Sequence, residues 1–335
     1  STPLYSSAAS EVYKRQGYAR PRPPAPLLGS CSDAEDWGPD ALLEGKTVAR
    51  DELLARGRAS YSTYCVGCHG VEGDGEGPAT RFLSPKPRDL RVGKLKFAAV
   101  PAGEMPRDED LIRVINHGLR GTSMPSWNLL PQEEVLAIVA YIKTFTPDRK
   151  PAGGAVTIPA DPWIKKPERG VAEGEAVYHG IASCMNCHAA YVTQEKIAEH
   201  MKAFDIPVTG FRTGLYESDT KDSDWGAPIR APDFWIDPIK SGSDKESLVR
   251  VIAAGVGGTA MPSWGSSLTP KQLWGLAYYV ESIAAMRGSP EARAAKKSLL
   301  EQPAFVPPEP KKAEPTEAPP AATEDASAEG GKAPN

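Results

Sequence analysis

Cys65-Val66-Gly67-Cys68-His69 returns later in the chain as Cys184-Met185-Asn186-Cys187-His188, and nothing else in the sequence constrains the fold so tightly. Two thiols three residues apart, with His directly after the second, form the attachment signature of a c-type haem. The spacing has a chemical reason: the thiols add to two vinyl groups on one porphyrin edge, and the next residue's imidazole then lies under the iron. With five Cys and five His in 335 residues, chance gives roughly 0.001 such strings, so two are not accidental. A Cys-x-x-Cys redox or zinc site would leave both histidines unexplained and lacks a second cysteine pair close by.

A second repeat fixes the domain plan. Leu111 to Trp127 aligns without a gap on Leu248 to Trp264, so Met124 falls on Met261. The second copy is longer between its haem motif and its Met, and most of the excess is expected between Ala189 and Trp225, where Gln194 to Phe204 reads as an added helix. Two copies of one plan imply two similar small domains with one haem each. The expected fold is mostly α: tandem domains at 46–149 and 170–289, a Pro-rich extended arm at 1–45, a stiff Pro-rich linker at 150–169 and a largely disordered tail at 290–335.

Iron in such a haem needs a ligand opposite the proximal His, and a thioether favours the reduced state. Met124 and Met261 each sit after a helix and before a Pro, where neither fills a helix face. His117 competes with Met124, but its partner in the repeat is Ala254, which cannot ligate. His200 and Met201 compete with Met261 and have no equivalent in the first copy.

Local patterns place these residues. Leu54, Gly57, Tyr61 and Cys65 recur at helical spacing, so one helix runs into the first motif. Gly70 to Pro78 is a Gly-rich loop without the strand or the Lys-Ser/Thr of a phosphate cradle; its glycines let backbone pass close to the haem edge. Asp108 to Ile115 is a short helix closed by Gly118, and Pro131 to Phe145 a longer amphipathic one. Ser243-x-x-Glu246 and Thr269-Pro270 read as helix starts.

A formal net charge of -4 and a pI near 5.9 argue against nucleic acid and anionic lipid as partners. No apolar run reaches transmembrane length. Covalent haem attachment implies export, and a start at Ser1 leaves open an upstream signal peptide or membrane anchor. Cys31 reads as an unpaired thiol, since the residues before it are too polar for a signal peptide.

The Gly57-x-x-x-Tyr61-x-x-x-Cys65 pattern, the Cys-x-x-Cys-His-Gly start, the Met-Pro-Ser-Trp loops and the aromatic-bearing last helices resemble class I cytochromes c. They are similar above all to the paired cytochrome c domains of dihaem subunits in respiratory complexes. The resemblance implies two covalent haem c groups held by Cys65, Cys68, Cys184 and Cys187, with axial ligands His69 and Met124, His188 and Met261. It implies that the first and last helices of each domain cross, at Gly57/Tyr61 and near Tyr141 in the first. It also implies that the Pro78 carbonyl accepts the His69 ring N–H. Arg88 and Arg230, near Asp89 and Asp233, read either as partners of haem propionates or as solvated surface arginines. The expected function is single-electron relay without substrate chemistry, on the periplasmic face of a respiratory or photosynthetic membrane. Expected partners are a quinol-oxidising complex and a terminal oxidase, soluble cytochrome or cupredoxin. The rival expectations are a dihaem peroxidase and a soluble periplasmic electron shuttle.

Overall fold

The computed structural model describes residues 40–43, 46–303 and 305–307, with side chains from Ala49 onward. Cys31 and most of the expected arm lie outside the described residues, as does the chain beyond 307.

The first domain opens with a hairpin, β1 (Asp40–Leu43) paired antiparallel to β2 (Lys46–Ala49) with Asp40 opposite Ala49. Helix α1 (Arg50–Tyr64) then runs into the haem motif, whose last four residues form α2 (Val66–His69). Helix α3 (Asp108–His117) stops at Gly118, which adopts a φ of 63° that a side chain would resist. Helix α4 (Gln132–Lys143) closes the domain. It crosses α1 at Gly57, where an added Cβ would fall 2.0 Å from the Ala137 carbonyl oxygen. Tyr61 packs on Tyr141 beside this point, ring centroids 5.4 Å apart. Leu111, Ile115, Val135, Ile138 and Val139 form the core.

The second domain repeats the plan with additions. Helix α5 (Pro167–His179) crosses α8 (Pro270–Ala285) at Gly174, whose Cβ would stand 1.9 Å from the Gly275 carbonyl oxygen. Tyr178 packs on Tyr279 at 5.5 Å, as Tyr61 does on Tyr141. The expected added helix is present as α6 (Gln194–Ala203), followed by a two-residue ladder of β3 (Thr220–Lys221) and β4 (Ile229–Arg230). Helix α7 (Lys245–Ala254) is capped by Asp244, which accepts from Ser247 N, one residue later than the expected Ser243 box. Thr269 and Gln272 cap α8 reciprocally, as expected from the Thr-Pro start.

One boundary differs from expectation. Residues 290–300 are not tail: α9 (Pro290–Leu300), capped by Ser289, buries Ala292 and Leu299 in the second core. The Pro-rich linker is bonded to both domains. Its backbone bonds the first domain through Gly153 N to Met105 O and Val156 N to Ala99 O. Trp274 Nε1 donates to Pro159 O and Tyr278 Oη to Asp161, which ties the other end to α8. Its prolines remove their own donors, so the remaining N–H groups and carbonyls are free to bond both neighbours.

The domains meet along a seam that obeys a local two-fold rule. Arg120 N donates to Lys240 O at 3.3 Å, and Gly257 N donates to Lys96 O at 3.0 Å. Arg120 and Gly257 are the same position of the Met-loop repeat, so each domain offers its loop to the same element of the other. That reciprocity is the mark of an isologous interface. Arg88 stacks over Trp225 across the seam, 3.5 Å from the ring centroid, and Ser263 Oγ accepts from Ala102 N.

Candidate haem-attachment sites

Both motifs hang from a buried tyrosine. Tyr61 Oη donates to Gly70 O and Tyr178 Oη to Ala189 O, each at 2.8 Å, and both carbonyls belong to the residue after the motif His. The second copy lacks the Gly after its His, yet the bond is kept, because it uses backbone alone. The approach to the motif differs. In the first domain α1 flows into Cys65, whose N–H bonds Tyr61 O. In the second, α5 ends at His179, and the two extra residues form a tight turn with Ser183 at a left-handed φ of 45°. Burial pushes the Cys65 and Cys184 thiols up to about 12, so both stand as neutral thiols.

Each proximal histidine is held by a main-chain carbonyl. His69 Nδ1 lies 3.0 Å from Arg88 O and His188 Nδ1 2.9 Å from Pro232 O. A carbonyl only accepts, so Nδ1 carries the proton and the lone pair is left on Nε2, as a metal ligand requires. Burial lowers both imidazole pKa values and keeps them neutral. Pro78 is not the acceptor expected for His69. The 75–80 segment folds back on the motif helix instead, with Gly77 N on Cys68 O and Ala79 N on Gly67 O. Sequence reasoning missed Arg88 and Pro232 in this role. The legible signal was the Asp after each, since Asp89 and Asp233 both cap a turn by accepting the N–H two residues on. Phe234 stacks on His188 with centroids 5.0 Å apart, which fixes its ring plane.

The methionine loops are superposable in their bonding. Thr122 Oγ1 donates to Leu119 O and accepts from Met124 N; Thr259 Oγ1 does the same with Val256 O and Met261 N. Leu119 N closes the first loop on Met124 O and Val256 N the second on Met261 O, both at 3.1 Å. Trp127 N and Trp264 N anchor the loops to Ile115 O and Ile252 O. Both methionines are half-buried.

Of the rival ligands, His117 is exposed with Nδ1 on Arg113 O. His200 Nε2 bonds the Glu175 carboxylate at 3.0 Å and stacks on the buried His179, while Met201 and Met261 both pack on the second core. Of the two arginines weighed as propionate partners, Arg230 forms a forked pair with Asp237 and Arg88 enters the seam.

The residues fit haem c. Each motif presents two unbridged thiols beside an imidazole with Nε2 unclaimed among the described residues. Such sites, on two small helical domains, define a c-type cytochrome. A family described as Cytochrome C oxidase, cbb3-type, subunit III matches residues 52–142 and 169–280, and the chain belongs to it. A solved chain from the reducing HAO-like protein complex of Kuenenia stuttgartiensis is 28% identical, with a TM-score of 0.54 over 68% of this chain and 95% of that one. No curated protein matches.

Proposed function

We propose that the protein carries two haem c groups and relays single electrons between them as a fixed subunit of a membrane-bound respiratory or photosynthetic complex, on the periplasmic face. The observation that carries the relay is the reciprocal seam, which braces the loop of each candidate Met ligand against the other domain. When bound, haem c supplies a one-electron Fe(III)/Fe(II) couple.

The chain's own residues hold that couple in place. Cys65, Cys68, Cys184 and Cys187 anchor it covalently, and His69 and His188 offer Nε2 from rings locked by carbonyls. Met124 and Met261 offer thioethers from loops pinned at both ends, which limits rearrangement when the charge on iron changes. Membership in an assembly is supported by the family and by the resemblance to a chain of a multi-protein complex. No helix among the described residues is long and apolar enough to cross a membrane, so attachment through partners or through the 1–45 arm suits the chain.

Rapid mixing of the oxidised protein with a one-electron reductant tests the relay: both haems should equilibrate faster than the bimolecular step. Reduction of each haem by separate encounters alone would refute it. Deleting residues 1–45 tests the fixed subunit. The truncated protein should keep its haem spectra and leave the membrane fraction; if it stays bound, the arm is not the tether.

A further inference from the structure

The seam between the domains gathers several cations among its neutral contacts. Lys96 and Lys240 each lie eight residues beyond the carbonyl that holds the proximal His, so they are equivalents in the two copies, and their backbones receive the two reciprocal bonds. Arg88 lies beside them, flat on Trp225. Arg113 and Arg250, also one repeat position, face each other closely enough to interact. The acids nearby are committed: Asp110 to Arg113 and to the Ala99 and Arg107 backbone, Asp89 to Arg91, and Asp244 to the cap of α7. Among the described residues no carboxylate pairs with Lys96, Lys240 or Arg88.

Half-burying like charges together costs stability unless an opposite charge joins them. Burial, then the neighbouring Arg88 and Lys240, push Lys96 down to about 8, as expected of an ammonium with no ion-pair partner among the described residues. Each haem c carries two propionates at the porphyrin edge opposite its thioether bonds. On the two-haem reading these are anions held within the chain, and they travel with the candidate ligands whose supports end in this seam. His69 is held by Arg88 O, the Met124 loop by Lys240 O and the Met261 loop by Lys96 O.

We propose that Arg88, Lys96 and Lys240 form one shared carboxylate-binding site in the seam, which takes propionates of both haems and makes each haem's potential depend on both domains. The inference rests on the two-haem reading above but not on the relay. A lysine that neutralises propionates of both haems stabilises added electrons at both irons, because positive charge near iron favours the reduced form. A private lysine would act on one iron alone.

The test uses the full-length holoprotein. Lys96→Met and Lys240→Met are titrated optically against redox mediators, with Lys→Arg at each position as the conservative control. Either Met variant should lower both potentials, shifting the redox equilibrium constant of the nearer haem severalfold, and the Arg variants should restore both. A shift confined to the haem of the mutated domain, or no shift at either haem, would overturn the shared site. Should a Met variant fold poorly, Lys→Gln at the same position gives the same reading. Haem-to-haem equilibration, measured on the same variants, separates the two ideas: unchanged potentials with fast equilibration leave the relay standing and remove the shared site.

Discussion

Gly57→Ala puts a single methyl where two helix backbones touch. Its Cβ would lie 2.0 Å from Ala137 O and 2.9 Å from Tyr141 Cβ, against 3.4 Å for an ordinary contact. Nothing there can rotate away, because the nearest atoms belong to the backbone of α4. The helices must part by roughly 1.4 Å, which separates Tyr61 from Tyr141 and pulls on the Tyr61 bond to Gly70 O. Overpacking of this kind costs about 1–3 kcal/mol, and an unyielding backbone belongs at the upper end. The better helix propensity of Ala returns about 1 kcal/mol. The net loss is therefore about 2 kcal/mol, or a fall of roughly 8–16 °C in the melting of a domain this size. Gly67→Ala is the control, since its Cβ meets nothing within 4 Å in a helical segment, and it should be neutral or slightly stabilising. Thermal melts of the holoprotein, followed at the Soret band and by far-ultraviolet circular dichroism, read both. If Gly57→Ala melts within about 2 °C of Gly67→Ala, the close crossing does not hold the domain together and the reasoning fails.

Met261→Ala should leave the haem covalently attached while opening its iron to carbon monoxide, and the same holds for Met124→Ala. Unaltered spectra with no carbon monoxide binding would remove that methionine from the ligand set, and ready binding by the native protein would favour the peroxidase reading. Lys296→Met removes the cation from the buried Asp233 carboxylate, which keeps its Tyr191 and Trp235 donors, and should destabilise the second domain by about 3 kcal/mol; a denaturant midpoint unchanged from wild type would contradict this. His179 is fully buried and its pKa falls from 6.5 to about 4 through desolvation. The unfolded chain thus binds a proton that the folded one refuses between those values. Stability is full above about pH 6.5 and falls by up to about 3 kcal/mol as pH drops to 4. His179→Gln should flatten this slope in denaturant titrations across that range, and an unchanged slope would assign it to other groups.

Much of the candidate site was legible because it is proposed from side chains: thiols, imidazoles and thioethers at fixed spacing, doubled by the repeat. The close helix crossings were legible too, through Gly57 and Gly174. The acceptors of the two histidines were not, since a backbone carbonyl has no letter, and Pro78 drew attention only through family likeness. Helix α9 was hidden by its neighbours. Ser289-Pro290 is a good start signal, but the Pro, Ala, Glu and Lys of the chain beyond it share its composition. The seam could not be foreseen, because reciprocity between Arg120 and Lys240, Gly257 and Lys96 exists only once both domains are folded and docked.

The hold on His69 leaves the side chain of residue 88 uncommitted. Arg88 and Pro232 do the same work with the same atom, so that position tolerates the longest basic side chain in one half and a ring with no N–H in the other. In the first half the spare guanidinium has been drawn onto Trp225. One residue thus answers to two masters through separable parts, main chain to its own histidine and side chain to the seam. Arg88→Ala would strip the seam of that guanidinium while the histidine keeps its acceptor, so the pairing of the halves can drift while each motif histidine stays held.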